Sequence, residues 1–327
     1  MIPFTFVRIK NNESAVREGS AKGAKFIAGG TNLVDLMKLD IEKPEKIIDI
    51  NGLELNKIET LPNGNILIGA LVKNTEIAYH PQIVGNFPLL SEAILSGASP
   101  QLRNMASTGG NILQRTRCYY FYDVSFPCNK REPGSGCSAI KGYNRNHAIL
   151  GTSDMCIATH PSDMCVALAA LDAIIHTQSP KGVRRIRFSE FHLLPGKTPQ
   201  IENVLQPGEL IVSVEIPKLD YYKKSCYLKV RDRASYEFAL ASAAVALDIK
   251  GFTIQESRIA LGGVGTRPWR STAAEKILNG SHPDKETFRL AAEAAMSDAR
   301  PQKNNAFKIE LAKRTLFRAL TTASELS

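Results

Sequence analysis

The sequence predicts an α+β protein in two parts, and three observations carry that prediction. Short apolar strands alternate with helices over the first part of the chain. Regular patterning then fails between about residues 115 and 160, where Gly, Pro, Asn and Ser are frequent and cysteines crowd together. Order returns, and from residue 223 a new region opens on strands and closes on two helices. With 327 residues and 43% hydrophobic content, two domains with real cores are expected, 1–222 and 223–327.

The elements follow in order. "AKFIAGGTNLVDLMKLD" reads as a strand entering a Gly-Gly turn, then a helix with Leu33, Leu36 and Met37 on one face. "KIIDI" (46–50) is a short buried strand, and "NGNILIGALV" (63–72) is an Asn-Gly turn leading into another. "TEIAYHPQIVGNFPLLSEAILSGA" reads as two helical pieces parted by "GNFP", and "MASTGGNIL" brings a second Gly-Gly turn. After the irregular stretch comes the helix "SDMCVALAALDA". "ASAAVALDIKGFTIQESRIALGG" reads as two strands joined in a hairpin at Lys250-Gly251. One closing helix carries Phe288, Ala291, Ala292 and Ala295 at helical spacing, the other Ile309, Ala312, Leu316 and Leu320.

Composition excludes some functions. Charged residues make up 22%, which is not the signature of a disordered chain. The net charge of +9 comes from basic residues spread along the chain without a nucleic-acid module, so no nucleic-acid partner is expected. The N-terminus lacks the pattern of a signal peptide. The most apolar later stretch, "MCVALAALDAIIH", is too short to span a bilayer and carries Asp172. The expectation is a chain made in the cytoplasm that leaves it only by riding on a partner.

"FIAGGTNLVD" (26–35) sets backbone N–H groups and a helix N-terminus at one spot. Gly29 and Gly30 permit close backbone approach, and the local dipoles favour an anion such as a pyrophosphate. A single strand–Gly-Gly–helix turn is more often plain structure. "STGGN" (107–111) repeats the chemistry, and two such loops favour a dinucleotide held between them.

The motifs "AGGTNL", "GALVKNTEI", "ASTGGNI", "HPSDM" and "GELIVSVEIP", in that order, resemble the FAD-binding subunit or domain of the xanthine dehydrogenase family of molybdenum hydroxylases. "RDRASYEFALASAAVAL" and "LGGVGTRPWR" resemble that family's C-terminal flavoprotein domain, as in CO dehydrogenase, so the likeness covers nearly the whole chain. It implies a PCMH/vanillyl-alcohol-oxidase-type FAD-binding domain of two subdomains, followed by an α+β domain. It further implies that Phe26, Ile27, Ala28, Gly29, Gly30, Thr31, Asn32 and Leu33 wrap the pyrophosphate and adenosine of FAD. Thr108, Gly109, Gly110 and Asn111 would hold it from the other side, and Asp163 would reach the adenosine part. Val212 and Lys229 would lie near the isoalloxazine, although a strand-core valine and a solvated lysine are equally good readings. Animal members have an aromatic beside the flavin where this chain has Gly97 and Ala98, so NAD as acceptor does not follow from the resemblance.

In most of that family a short link joins "GGN" to "SD". Here Asn111 and Asp163 stand 52 positions apart, which marks 112–160 as an insertion. It holds Cys118, Cys128, Cys137 and Cys156; Cys165 and Cys226 lie in apolar surroundings and read as small buried hydrophobes. Six aromatics (Tyr119, Tyr120, Phe121, Tyr122, Phe126, Tyr143) argue against disorder, so something besides a hydrophobic core must hold the loop. Four thiols suit a metal centre, either iron–sulfur or zinc, with unligated thiols or disulfides as the alternative. No C-x2-C pair is present, which disfavours a zinc ribbon. The resemblance adds that a 4Fe-4S cluster occupies this insertion in hydroxybenzoyl-CoA reductase and in the bacterial periplasmic aldehyde oxidoreductases, the group this chain resembles most. Arg115, Arg117, Lys130, Arg131, Lys141 and Arg145 are expected to offset the cluster's negative charge.

No nucleophile–base pair or acid/base dyad is evident, so no catalytic residue is expected, as suits an electron relay. The resemblance implies a flavin and 4Fe-4S subunit of a heterotrimeric, molybdenum-dependent aldehyde oxidoreductase. Its partners would be a molybdopterin-bearing large subunit and a small subunit with 2Fe-2S centres, and its electrons would pass to an external acceptor. It would reach the periplasm by co-export with a partner. The alternatives are a hydroxybenzoyl-CoA-reductase-like or xanthine-dehydrogenase-like FAD subunit and a stand-alone PCMH-type flavin oxidase.

Overall fold

The computed structural model describes residues 1–326, apart from the side chain of Tyr222. Strands β1 (Thr5–Arg8), β2 (Ala24–Ile27) and β3 (Lys46–Asp49) form a parallel sheet in the order β1-β3-β2. Its central strand is the predicted "KIIDI" run, with Ile47 and Ile48 buried. Strands β4 (Ile58–Thr60), β5 (Ile66–Gly69), β6 (Ile174–Ser179), β7 (Gly182–Arg187) and β8 (Leu210–Ile216) form an antiparallel sheet ordered β4-β5-β8-β6-β7. The β4–β5 turn is the Asn63-Gly64 pair, where Gly64 takes a φ of 83° that other residues rarely adopt. The β6–β7 hairpin was not anticipated; "AIIHTQS" is too short a run after an apolar helix to announce itself.

Strands β9 (Ser225–Val230), β10 (Ala241–Lys250), β11 (Thr253–Gly262) and β12 (Trp269–Arg270) form the third sheet, ordered β12-β11-β10-β9 and antiparallel. The predicted hairpin is present, with Lys250 opposite Thr253 and Gly251 at φ 60°. Ala243, Val245 and Leu247 of β10 pack against the helices Thr272–Leu278, Lys285–Ala295 and Phe307–Glu325. Ala244 and Ala246 face the other way, into the core that includes the helices Pro88–Ser96 and Asp163–Ala170. Burial on both faces explains why β10 reads as a continuous apolar run rather than an alternation. Each fully buried leucine or isoleucine in these layers contributes about 1.5–3 kcal/mol.

Two expectations are corrected. Residues 74–96 form three helices, Asn74–Tyr79, Pro81–Asn86 and Pro88–Ser96, not two. Pro81 forces His80 into an extended conformation (ψ 128°), which ends the first helix one break earlier than predicted. The second glycine pair does not form a turn. Gly109 and Gly110 lie inside a short helix, Thr108–Ile112, whose first turn is capped by Ser107 Oγ accepting from Gly110 N–H.

The insertion is irregular, as expected, with two one-turn helices (Tyr119–Tyr122 and Ser138–Lys141) and isolated bridges such as Cys128 to Cys137. Its second half is docked on the C-terminal helices. Lys308 is wholly buried, and its Nζ donates to the carbonyls of His147 (3.0 Å) and Gly263 (2.6 Å). Burial pushes the Lys308 ammonium down to about 7. Asn305 Nδ2 donates to the His147 and Ala148 carbonyls, both at 3.3 Å.

A candidate flavin cleft and a four-thiol loop

A cleft of about 300 Å³ opens where the two glycine loops, the start of the helix Asp163–Ala170 and β9 meet. Thr31, Asn32, Gly110, Asn111, Asp163 and Lys229 all line it. The loops are also in contact with each other. A Cβ on Gly29 would lie 2.0 Å from the Met105 carbonyl oxygen, so only glycine lets the two backbones approach this closely. Gly30 takes a φ of 71°, and Gly109 N–H donates to the Ala70 carbonyl at 2.9 Å. Ser162 Oγ donates to Asn111 Oδ1 (2.5 Å), tying the second loop to the cap of the following helix.

Not every expected residue lines the cleft. Phe26 packs into the small N-terminal core beneath Gly19, and Val212 lies half-buried against that same core. Thr108 is buried, with its hydroxyl donating to the Val72 carbonyl at 3.0 Å. Ile27, Ala28 and Leu33 carry the backbone into and out of the first loop without facing the cavity. Lys229 is not a solvated charge: its side chain is 4% exposed and pairs with Asp163 Oδ2 at 2.8 Å. Asp163 Oδ1 accepts from Tyr227 Oη at 2.7 Å, so both carboxylate oxygens have protein partners. Burial first, then the Asp163 charge, pushes the Tyr227 phenol well above its usual range, which keeps it a donor.

Sequence reasoning missed the opposite wall, formed by Tyr236, Glu237 and Phe238. These residues lie in the "ASYEFA" stretch, whose backbone carries no periodic signal. Tyr236 has a φ of 53° and Ala98, also on the cleft, 54°. Apart from two aspartates, these are the non-glycine residues with positive φ among those described, and such strain concentrates at binding sites.

A second cavity of about 210 Å³ shares Arg117, Ser162 and Asp163 with the cleft and extends to Cys118 and His147. It leads to the thiol loop, where the structure gathers all four cysteines within electrostatic reach of one another. Cys128 and Cys156 raise the Cys118 pKa, and Cys128 and Cys137 raise that of Cys156. Burial is the larger cause in both, pushing Cys118 up to about 12 and Cys156 to about 11. Opposing this, backbone N–H groups are aimed at the sulfurs: Tyr120 and Phe121 at Cys118, Ala139, Ile140 and Ile157 at Cys137, and Ala158 at Cys156. Amides arranged this way favour thiolates once a cation compensates the burial.

Among the described residues, no three of these sulfurs lie within 4.8 Å of one another. Thiolates around one tetrahedral zinc, at about 2.3 Å from the metal, would stand roughly 3.8 Å apart. His160, Cys165 and His192 do bring three donor atoms within 4.8 Å, but Lys130 and Arg117 bear on His160, surroundings that disfavour a cation. Burial holds His147 down at about 4, so its ring is neutral.

The expected charge offset takes another form. Arg115 pairs with Glu42 (2.7 Å) and Glu202 (2.5 Å), and Lys130 with the same Glu202 (2.7 Å). Arg145 pairs with Asp232 at 2.7 Å, and Arg131 donates to the Tyr120 and Phe121 carbonyls, both at 2.9 Å. These residues staple the loop; among them only Lys130 bears on a thiol, that of Cys156.

This architecture is that of a two-part flavoprotein, and comparison with known proteins agrees. Residues 3–219 match the FAD-binding domain in molybdopterin dehydrogenase, and residues 226–323 the CO dehydrogenase flavoprotein C-terminal domain. The chain belongs to the family of FAD-binding subunits of molybdopterin dehydrogenases, and is a FAD-dependent oxidoreductase subunit. It is 50% identical over 325 residues, 99% of each chain, to the aldehyde oxidoreductase FAD-binding subunit PaoB of Escherichia coli. It is 30% identical to the glyceraldehyde dehydrogenase medium chain of Sulfolobus acidocaldarius, covering 91% of this chain and 89% of the relative. Among solved structures, a chain of carbon monoxide dehydrogenase from Hydrogenophaga pseudoflava superposes with a TM-score of 0.78 at 26% identity, covering 100% of both chains.

Proposed function

We propose that this chain is the FAD- and 4Fe-4S-carrying electron-transfer subunit of a heterotrimeric, molybdenum-dependent aldehyde oxidoreductase. The observation that carries the cluster is the convergence of four thiols with backbone amides directed at three of them. The 50% identity to an aldehyde oxidoreductase subunit, over nearly the full length of both chains, supports the reaction class. FAD would lie in the cleft lined by Thr31, Asn32, Gly110 and Asn111, with the buried Asp163–Lys229 pair as a charge-balanced part of its wall. Cys118, Cys128, Cys137 and Cys156 would ligate the cluster. The bound groups supply the redox chemistry; the chain's own part is to position them and to exclude water.

The substrate would be oxidised on a molybdopterin-bearing large partner, and a small partner with 2Fe-2S centres would link the two. The division at residues 222 and 223 is part of this reading. So is a periplasmic location reached by co-export; among the described residues no helix is long and apolar enough to cross a membrane. The test is to co-express the three subunits and add aldehyde without an acceptor. Bleaching of the flavin absorbance by aldehyde supports the proposal. Bleaching by aldehyde with this chain alone would show a stand-alone oxidase instead.

A further inference from the structure

His147 is buried at 3% exposure and belongs to no thiol ligand set, yet its Nε2 lies 3.1 Å from Cys118 Sγ. The residue is held through its backbone. The His147 carbonyl accepts from Lys308 Nζ and Asn305 Nδ2, the backbone N–H donates to the Asn144 carbonyl at 3.0 Å, and the Tyr120 ring lies 6.2 Å from the imidazole. The other ring nitrogen, Nδ1, is buried with no hydrogen-bond partner.

The sulfur fixes the proton. Nδ1 makes no bond in hydrogen-bond geometry, although the Asn144 carbonyl bears on the ring. Nε2 points at sulfur. A ligated cysteine is a thiolate and can only accept, so the contact becomes N–H···S. Cys118 and His147 both border the second cavity, which joins the cleft assigned to FAD. The thiolate receiving this bond therefore faces the cavity that joins that cleft.

We infer that His147 is a positioning residue that donates its Nε2 hydrogen to the Cys118 sulfur and raises the reduction potential of the iron–sulfur centre. The inference rests on the 4Fe-4S reading proposed above. A hydrogen bond to a ligand sulfur withdraws electron density and stabilises the reduced, more negative state. It moves no electron itself; it sets how readily the centre accepts one.

The test uses the protein purified with its iron, in whatever assembly it is isolated, and follows the reduced centre by EPR during a redox titration. His147→Leu should shift the potential negative, and His147→Gln, which restores an N–H of similar reach, should recover most of that shift. Pulsed EPR of the reduced wild type with isotopically labelled histidine nitrogen should show a weak coupling that His147→Gln removes. Equal potentials in wild type and His147→Leu would overturn the inference, as would a strong coupling typical of direct coordination. Should His147→Leu lose its iron, the wild-type coupling decides: a weak one supports the bond, and none overturns it. Wild-type protein without iron and sulfide is a separate result that removes the cluster reading itself.

Discussion

The flavin cleft and the thiol loop are neighbours held in opposite ways. The cleft's loops continue regular structure: Thr108 and Gly109 N–H donate to the Val72 and Ala70 carbonyls, both at 2.9 Å, and Ser107 and Ser162 cap the helices that follow. The thiol loop has almost no ladder. Its local core holds little beyond Leu36, Phe121 and Cys128. Side chains fix it to distant elements instead, Arg115 to Glu42 and Glu202, and Arg145 to Asp232 at 2.7 Å. Between residues 113 and 147 the buried apolar side chains among those described are Phe121, Cys128 and Ala139, little to set against the entropy of ordering that stretch. The lesson is that the cleft is held by regular structure before any cofactor binds, whereas on the proposed reading the loop depends on its centre for stability.

The largest effect expected follows from that dependence. Cys128→Ser should abolish iron binding and open residues 112–160 to protease and hydrogen exchange, while flavin occupancy falls much less. Cys165→Ser, in the helix Asp163–Ala170, should leave iron unchanged. Equal protection of the loop with and without iron would erase the contrast between the two regions.

Next in size is Lys229→Ala. It leaves the Asp163 carboxylate buried and unpaired, a loss of about 3–5 kcal/mol that a shift in unfolding midpoint would read. Pairing it with Asp163→Asn should recover part of the loss; no recovery would show that the pair is not what the wall depends on.

The glycines separate packing from binding. Gly29→Ala drives a Cβ into the Met105 carbonyl and should cost roughly 3 kcal/mol as well as flavin, because the loops must part. For Gly110→Val the added Cβ meets only Ser107 Oγ, at 3.0 Å, so stability should stay within about 1 kcal/mol of wild type while flavin occupancy falls. Full flavin occupancy in both variants would refute the two-loop cradle.

Much of this was legible in the sequence because glycine and cysteine carry narrow meanings. The pair at 29–30 led to Thr31 and Asn32, and that at 109–110 to Gly110 and Asn111, all on the cleft, and the crowding of thiols in an unpatterned stretch marked the loop. What escaped depended on distant partners. Arg115 finds Glu202 87 positions away, and Arg145 finds Asp232 at the same separation, so no local pattern could show that these residues staple rather than face the thiols. Lys229 looked like any strand-end charge until Asp163, 66 positions off, was brought beside it. Phe26 sits in the motif that the resemblance assigns to FAD, but its side chain belongs to the core below. Tyr236 to Phe238 form a wall from irregular backbone, for which periodicity offers no signal.

The central claim is that Cys118, Cys128, Cys137 and Cys156 hold an iron–sulfur cluster in a flavoprotein, and metal, sulfide and flavin analysis of the purified chain tests it most directly. The account predicts about four iron and four acid-labile sulfide per chain with one FAD, and a broad absorbance beneath the flavin bands. About one zinc per chain without sulfide, or four thiols that titrate freely in the folded protein, would contradict it.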